Sequence, residues 1–127
     1  MTDDANGESI INGLLLTRDL MFTSKVTGTA TALGLRIETV GTLDSLQTRA
    51  AAVHPRVVFI DLGCAEFAPQ AVMDRLIDAE PRPVVIAFGA HVDVARLEAA
   101  VAAGCDDAMP RSRFSATLPD LLRQIFN

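Results

Sequence analysis

The sequence predicts an α/β fold, with a five-stranded parallel sheet and helices on both faces. Residues 57–60 and 84–88 are apolar at every position and rich in Val and Ile, which is typical of strands buried on both faces. Segments in which apolar residues recur every three to four positions alternate with the predicted strands. In a chain of 127 residues, this alternation predicts one domain whose parallel strands are joined by right-handed crossovers.

Composition and charge exclude several classes of protein. Half of the residues are hydrophobic, which is enough to bury a substantial core. The formal net charge of -5 argues against nucleic-acid binding, and the absence of Trp and Tyr removes the usual stacking platforms for bases. No apolar run approaches the length of a membrane span, and the N-terminus lacks a signal-peptide pattern. We therefore expect a soluble cytoplasmic protein that binds neither nucleic acid nor membranes.

The first half of the chain is predicted to contain two strands and two helices. Residues 1–9 are polar and predict a disordered lead-in, so the domain should span residues 10–127. The first strand is the later part of residues 10–16, and residues 35–40 alternate as in a strand near a sheet edge. The first helix ends near Gly34, and the second lies between an N-cap at Thr42 and a stop at His54. Their expected inward residues are Phe22, Val26, Ala30 and Leu33, then Leu43, Leu46, Ala50 and Val53.

The second half is predicted to contain three further helices. The third spans residues 69–79, the fourth spans residues 93–103 and is closed by Gly104, and a short strand follows at 105–109. Residues 110–113 are expected to form a loop before a last helix with Thr117 as its N-cap and Pro119 in its first turn. The expected inward residues are Val72, Leu76 and Ile77, then Val94, Leu97 and Val101, then Leu118, Leu121, Leu122 and Ile125.

One carboxylate occupies a position that is typical of functional sites. The buried strand at residues 57–60 ends at Asp61, and open α/β sheets bind their ligands at the carboxyl ends of their strands. Asp61 is therefore the first candidate site residue.

Two stretches resemble a known family. Residues 54–63, HPRVVFIDLG, and residues 103–111, AGCDDAMPR, together with chain length and element order, are similar to the receiver domain of bacterial two-component response regulators. The resemblance extends over residues 14–126. It implies a flavodoxin-like sheet with strand order 2-1-3-4-5.

The resemblance also implies a site, and most of its positions are altered here. The phosphoacceptor aspartate corresponds to Asp61, which is retained. The family's acidic metal-binding pair, its Thr or Ser, its aromatic residue and its Lys correspond, in that order, to Thr17 and Arg18, Gly89, Ala108 and Arg111.

These changes predict a degenerate receiver, or pseudo-receiver. Mg²⁺ requires oxygen ligands, and aspartyl phosphorylation depends on that ion to offset charge on the transferring group. We expect Asp61 to be a retained carboxylate that pairs with Arg18 or Arg111, and we expect Arg18 to take over the electrostatic role of the metal. The resulting prediction is a protein-interaction module of two-component type that is not an enzyme and has no metal or cofactor. Asp61 would be the equivalent of the phosphoacceptor, with no catalytic residue.

Two alternatives stay open. In the first alternative, Asp61 is a genuine phosphoacceptor in an atypical site that uses Mg²⁺. In the second, Arg18 and Arg111 form a small anion-binding site. A glycine-rich phosphate loop is missing after the first strand, where the residues are Thr17, Arg18 and Asp19, and this counts against an anion-binding module.

The expected partner is a protein that binds the face formed by the fourth helix, the fifth strand and the fifth helix. A basic cluster of Arg111, Arg113 and Arg123 lies in this region, and a solvated loop explains it equally well. A homodimer is one form such a partnership could take. Cys64 and Cys105 are expected to be free, buried thiols, and His54 and His91 have no neighbours at the spacing of metal ligands.

Overall fold

Strands and helices alternate along the whole of residues 10–127, the part of the chain described by the computed structural model. The predicted lead-in at residues 1–9 lies outside the described residues. The elements are β1 Gly13–Leu16, α1 Leu20–Ala32, β2 Ile37–Val40, α2 Leu43–Val53, β3 Val57–Asp61, α3 Pro69–Arg75, β4 Val84–Gly89, α4 Val94–Ala102, β5 Asp107–Pro110 and α5 Arg111–Phe126.

The five strands form one parallel sheet in the order β2-β1-β3-β4-β5, which confirms the predicted order. β2 is an edge strand, as its alternating sequence predicts. Leu16 pairs with Ile60, and Asp61 pairs with Phe88. Because the strands are parallel, this register brings the residues that follow β1 to the same edge as Asp61.

Two apolar layers cover the sheet. The layer under α1 and α5 contains four buried phenylalanines, with ring centroids 4.7 Å apart for Phe22 and Phe88 and 4.5 Å apart for Phe88 and Phe114. The layer under α2, α3 and α4 is mainly aliphatic and includes Leu14, Leu16, Leu46, Ile60, Val72 and Ala100. Successive residues of each strand contribute to opposite layers, so residue parity decides which layer a side chain enters.

α1 and α2 form as their sequences predict. Asp19 caps α1 by accepting a hydrogen bond from Phe22 N at 3.1 Å, and Thr42 caps α2 by accepting one from Ser45 N at 3.0 Å. His54 ends α2 in a left-handed conformation with φ of 49°. Each cap satisfies a backbone group that the helix leaves unpaired at its end.

The predicted inner face of α4 was wrong in part. Ala100 is fully buried and Leu97 is half-buried, whereas Val94 and Val101 are 55% and 54% exposed. Ala100 has a small side chain and lets this helix approach the sheet, and the two valines therefore lie on the flanks of the helix. α3 is also shorter than predicted, ending at Arg75, and Ile77 is 79% exposed.

α5 begins earlier than predicted. It starts at Arg111, so residues 111–113 are helical, and Pro119 lies inside the helix. Fully buried Phe114 extends the stripe of Leu118 and Leu122 by one turn, and this packing outweighs the proline. The Thr117 hydroxyl donates to Arg113 O at 2.8 Å instead of capping a helix. The strand before α5, β5, spans residues 107–110 rather than 105–109.

Candidate functional site

The candidate site lies at the carboxyl edge of the sheet, where β1 and β3 end. Among residues 10–127, the two buried residues with polar or charged side chains are Thr17 and Asp61, which are 2% and 4% exposed. Side chains two residues apart along a strand point to the same face of the sheet. Thr17 follows Leu15 by two residues and Asp61 follows Phe59 by two. Both side chains therefore point to the face covered by α1 and α5. The sheet register therefore brings a hydroxyl and a carboxylate together.

Both oxygens of the Asp61 carboxylate accept hydrogen bonds. Oδ2 accepts from the Thr17 hydroxyl at 2.6 Å. Oδ1 accepts from the backbone N–H of Gly63 and from Arg111 Nη2, each at 2.8 Å. A buried carboxylate requires such partners, because burying an unpaired charge costs on the order of several kcal/mol.

Arg111 reaches Asp61 from the first turn of α5. Its guanidinium lies over two aromatic rings, 5.0 Å from the Phe22 centroid and 5.2 Å from the Phe88 centroid. Nη1 lies 4.0 Å from the Asp19 carboxylate and has no hydrogen-bond partner within residues 10–127. The aromatic rings and two carboxylates hold this cation beside the oxygens of Asp61.

The expected ion pair between Arg18 and Asp61 is wrong. Arg18 Nε donates to Gly41 O at 3.0 Å, and Nη1 pairs with Glu66. The guanidinium also lies 5.8 Å from the centroid of the Phe67 ring. Because Thr17 points toward Asp61, its neighbour Arg18 points to the other face. The cation beside Asp61 is therefore Arg111.

Gly89 and Ala108 face the side of the sheet opposite to the Asp61 side chain. A Cβ on Gly89 would lie 3.2 Å from Leu62 Cβ and 3.8 Å from Leu97 Cδ2, on the α4 side of the sheet. Ala108 packs against the aliphatic layer on that same side. Gly89 has no hydroxyl and Ala108 has no ring, so the positions supply neither group to the site.

Gly63 and Arg96 belong to the site, although the sequence did not indicate them. A Cβ on Gly63 would lie 2.8 Å from Arg111 Nη2 and 3.0 Å from Asp61 Oδ1, so a larger residue would displace the ion pair. Arg96 donates to Leu62 O at 2.7 Å and to Cys64 O at 3.0 Å. α4 is thereby joined to the loop that follows Asp61.

A divalent metal does not fit the donor set at this edge. Residues 10–127 contain no group of three or more His, Cys, Asp or Glu side chains placed to hold a metal ion. Asp19 is occupied with capping α1, and the Arg111 guanidinium lies 2.8 Å from Asp61 Oδ1. A cation at that oxygen would meet another positive charge and too few oxygen ligands.

The two cysteines are free and differ in accessibility. Cys64 is half-buried, and its Sγ lies 3.8 Å from Glu66 Oε1. Cys105 is buried, and burial raises the pKa of its thiol to about 11, with a smaller contribution from the charge of Asp106. A thiol with a raised pKa contains little thiolate at neutral pH and reacts slowly.

Solved structures share this architecture over most of their length. A response regulator from Hahella chejuensis superposes with a TM-score of 0.79 at 12% identity, covering 92% of this chain and 96% of its own. The chain has the fold of response regulator receiver domains. No protein-family model matches the sequence, and neither does any curated protein.

Two further structural neighbours have somewhat higher identity. The CheY-like protein TadZ from Pseudomonas aeruginosa PAO1 has a TM-score of 0.73 at 24% identity, covering 91% of this chain and 98% of its own. A putative pilus assembly-related protein from Burkholderia pseudomallei K96243 has a TM-score of 0.70 at 20% identity, covering 92% and 90%. At these identities the similarity establishes the fold. Within residues 10–127, no helix is both long and apolar enough to cross a membrane.

Proposed function

We propose that this chain is a receiver-fold protein-interaction module whose Asp61 is not switched by Mg²⁺-dependent phosphorylation. The observation that carries the proposal is the set of partners around Asp61, where the Thr17 hydroxyl binds Oδ2 at 2.6 Å and Arg111 Nη2 binds Oδ1 at 2.8 Å. Arg111 keeps a cation at the Lys position, but Thr17 and Arg18 stand at the positions of the acidic pair, so the carboxylate ligands of the metal ion that phosphoryl transfer requires are missing.

Phosphorylation of Asp61 would have to overcome its existing contacts. One carboxylate oxygen must attack the phosphorus atom, yet Thr17 occupies Oδ2, and Gly63 and Arg111 occupy Oδ1. The residue is also 4% exposed, which limits access for a phosphoryl donor. Of the altered positions, Thr17 and Arg111 stabilise the unmodified carboxylate, while Arg18, Gly89 and Ala108 contribute no group to it.

The proposed partner is a protein that binds the α4, β5 and α5 face. Val94 and Val101 give this face exposed apolar surface, and Arg113 and Arg123 are exposed on α5. The Burkholderia pseudomallei neighbour is described as a putative pilus assembly-related protein, which is compatible with an adaptor that acts inside a larger assembly. We place this module in the cytoplasm, with no enzymatic activity of its own.

Intact-mass measurement after incubation with a small phosphoryl donor and Mg²⁺ tests the proposal. We expect no phosphoryl adduct on the native chain. The matched control carries Thr17→Asp, Arg18→Asp and Arg111→Lys, which restore the acidic pair and the Lys implied by the resemblance to receivers, and it should accept a phosphoryl group. An adduct on the native chain that disappears in Asp61→Asn would refute the proposal.

The second candidate is a genuine phosphoacceptor, favoured by the position of Asp61 at the end of β3. It requires Arg111 to leave Oδ1 when metal and donor arrive, and the same mass measurement decides it. Anion binding by Arg111 is tested separately by thermal unfolding with phosphate or sulfate. We expect neither anion to stabilise the native chain more than it stabilises Arg111→Lys, since Asp61 already neutralises the Arg111 guanidinium.

A further inference from the structure

α4 is apolar on nearly all sides. Its inner face packs through Leu97 and Ala100. Its outer face comprises the exposed residues Val94 and Val101 on the flank together with Ala95, Ala99 and Ala102, and Glu98 is the one charged side chain there. A helix that is apolar all round is typical of a buried helix, and this face is therefore expected to be covered in an assembly.

α1 also has an outer face with little charge. Leu20 and Met21, at its start, are 82% and 86% exposed. Lys25 is the one charged residue among the 13 residues of this helix. Exposed Gly28 lies on the same side, and a Cβ there would meet no atom within 4 Å. The α1 face therefore offers aliphatic side chains, a single cation and an open position.

The two faces match in spacing and in charge. Met21, Lys25 and Gly28 follow each other at i, i+4 and i+7, and so do Val94, Glu98 and Val101. Residues at these intervals lie on one side of a helix. When the two helices lie side by side in the same direction, Met21 faces Val94, Lys25 faces Glu98, and the open position at Gly28 receives Val101.

We propose that a second copy of this chain docks the outer face of its α1 on the outer face of α4. The exposed aliphatic side chains on both helices supply apolar area, and the pairing of Lys25 with Glu98 fixes the register. This inference deepens the proposed function by naming the partner of the α4 face, and it rests on that function only in treating α4 as a docking face.

The contact joins different surfaces of the two copies. α1 packs on one face of the sheet and α4 packs on the other, so each copy in a pair keeps one helix face free. Such heterologous contacts continue head-to-tail into rings or open chains instead of stopping at a symmetric dimer.

Sedimentation velocity over a range of concentrations tests the contact. We expect the native chain to self-associate with rising concentration, and we expect Met21→Asp and Val101→Asp each to be monomeric. An equimolar mixture of the two variants should form a heterodimer, because one keeps an intact α4 face and the other an intact α1 face. Ile77→Asp is the matched control, since it adds the same charge at a position 79% exposed elsewhere, and it should associate like the native chain.

Charge reversal tests the register. Lys25→Glu and Glu98→Lys should each weaken association about fivefold, the size expected for one surface ion pair, and mixing them should restore it. A native chain that stays monomeric would overturn the proposal, as would self-association retained by Met21→Asp or Val101→Asp. The phosphorylation measurement is separate, so failure of self-association leaves the conclusion about Asp61 standing, and the reverse also holds.

Discussion

Arg111, the first residue of α5, donates a hydrogen bond of 2.8 Å to Asp61, the last residue of β3 and 50 positions earlier in the chain. The guanidinium is held by the rings of Phe22 and Phe88 and lies 4.0 Å from Asp19. This one side chain connects α5, α1, β3 and β4 at the carboxyl edge of the sheet. The positive charge beside the Asp61 carboxylate is thus part of the protein.

Removing Arg111 should destabilise the fold far more than removing Arg18. Arg111→Ala leaves the buried Asp61 carboxylate without its cation and should lower the free energy of unfolding by about 2–4 kcal/mol. Arg18 is half exposed and pairs with exposed Glu66, so Arg18→Ala should cost about 0.5 kcal/mol. Urea unfolding of both variants measures the difference. Equal losses would contradict the assignment of Arg111 as the partner of Asp61.

The Thr17 hydroxyl should be more important than the Thr17 methyl group. Thr17→Val keeps the shape but removes the donor to Asp61 Oδ2, and it should cost about 1–3 kcal/mol. Thr17→Ser keeps the donor and should cost about 1 kcal/mol or less, the value of one buried methyl group. If Ser proved as costly as Val in urea unfolding, the hydrogen bond to Asp61 would not be stabilising.

Cys105 should make stability depend on alkaline pH. Burial raises its pKa from 9.0 to about 11, so the folded state keeps a proton that the unfolded state loses. The stabilisation is complete below pH 9 and decreases as pH rises toward 11. The free energy of unfolding of the native chain, measured against Cys105→Ala, should therefore fall over that interval. A difference that is independent of pH would contradict a buried, protonated thiol.

Gly28→Ala should stabilise the monomer. Gly28 is exposed inside α1, and a Cβ there would meet no atom within 4 Å, so the change should add about 1 kcal/mol through helix propensity alone. Gly28→Gln should also stabilise the helix, but its side chain fills the position proposed to receive Val101 and should weaken self-association. Thermal unfolding of dilute protein measures the change in stability, and sedimentation at high concentration measures the change in self-association. A destabilised Gly28→Ala monomer would contradict the first expectation.

The fold could be predicted from the sequence because its strongest signals are local. The apolar runs of β3 and β4, the cap at Thr42 and the stop at His54 are all determined by nearby residues. The inner face of α4 and the start of α5 were harder to predict. In α4, the small side chain of Ala100 packs against the sheet, and in α5, the burial of Phe114 extends the helix before Pro119.

The site could be predicted only in part. The position of Asp61 follows from the end of a buried strand, but its partner depends on which face each neighbouring side chain enters. The alignment of β1 with β3 places the Thr17 side chain beside Asp61, and the next residue, Arg18, points to the opposite face, where it pairs with Glu66. The contacts of Arg111 and Arg96 span 50 and 34 residues, and no local pattern reports them.

The most direct test of the central claim is the unfolding free energy of the native chain with and without Mg²⁺ at constant ionic strength. A bound ion stabilises the state that binds it, so any site at Asp61 would raise this free energy as Mg²⁺ increases. Because Arg111 supplies the positive charge there, we expect the same value with and without the ion. Stabilisation by Mg²⁺ that is lost in Asp61→Asn would contradict the account.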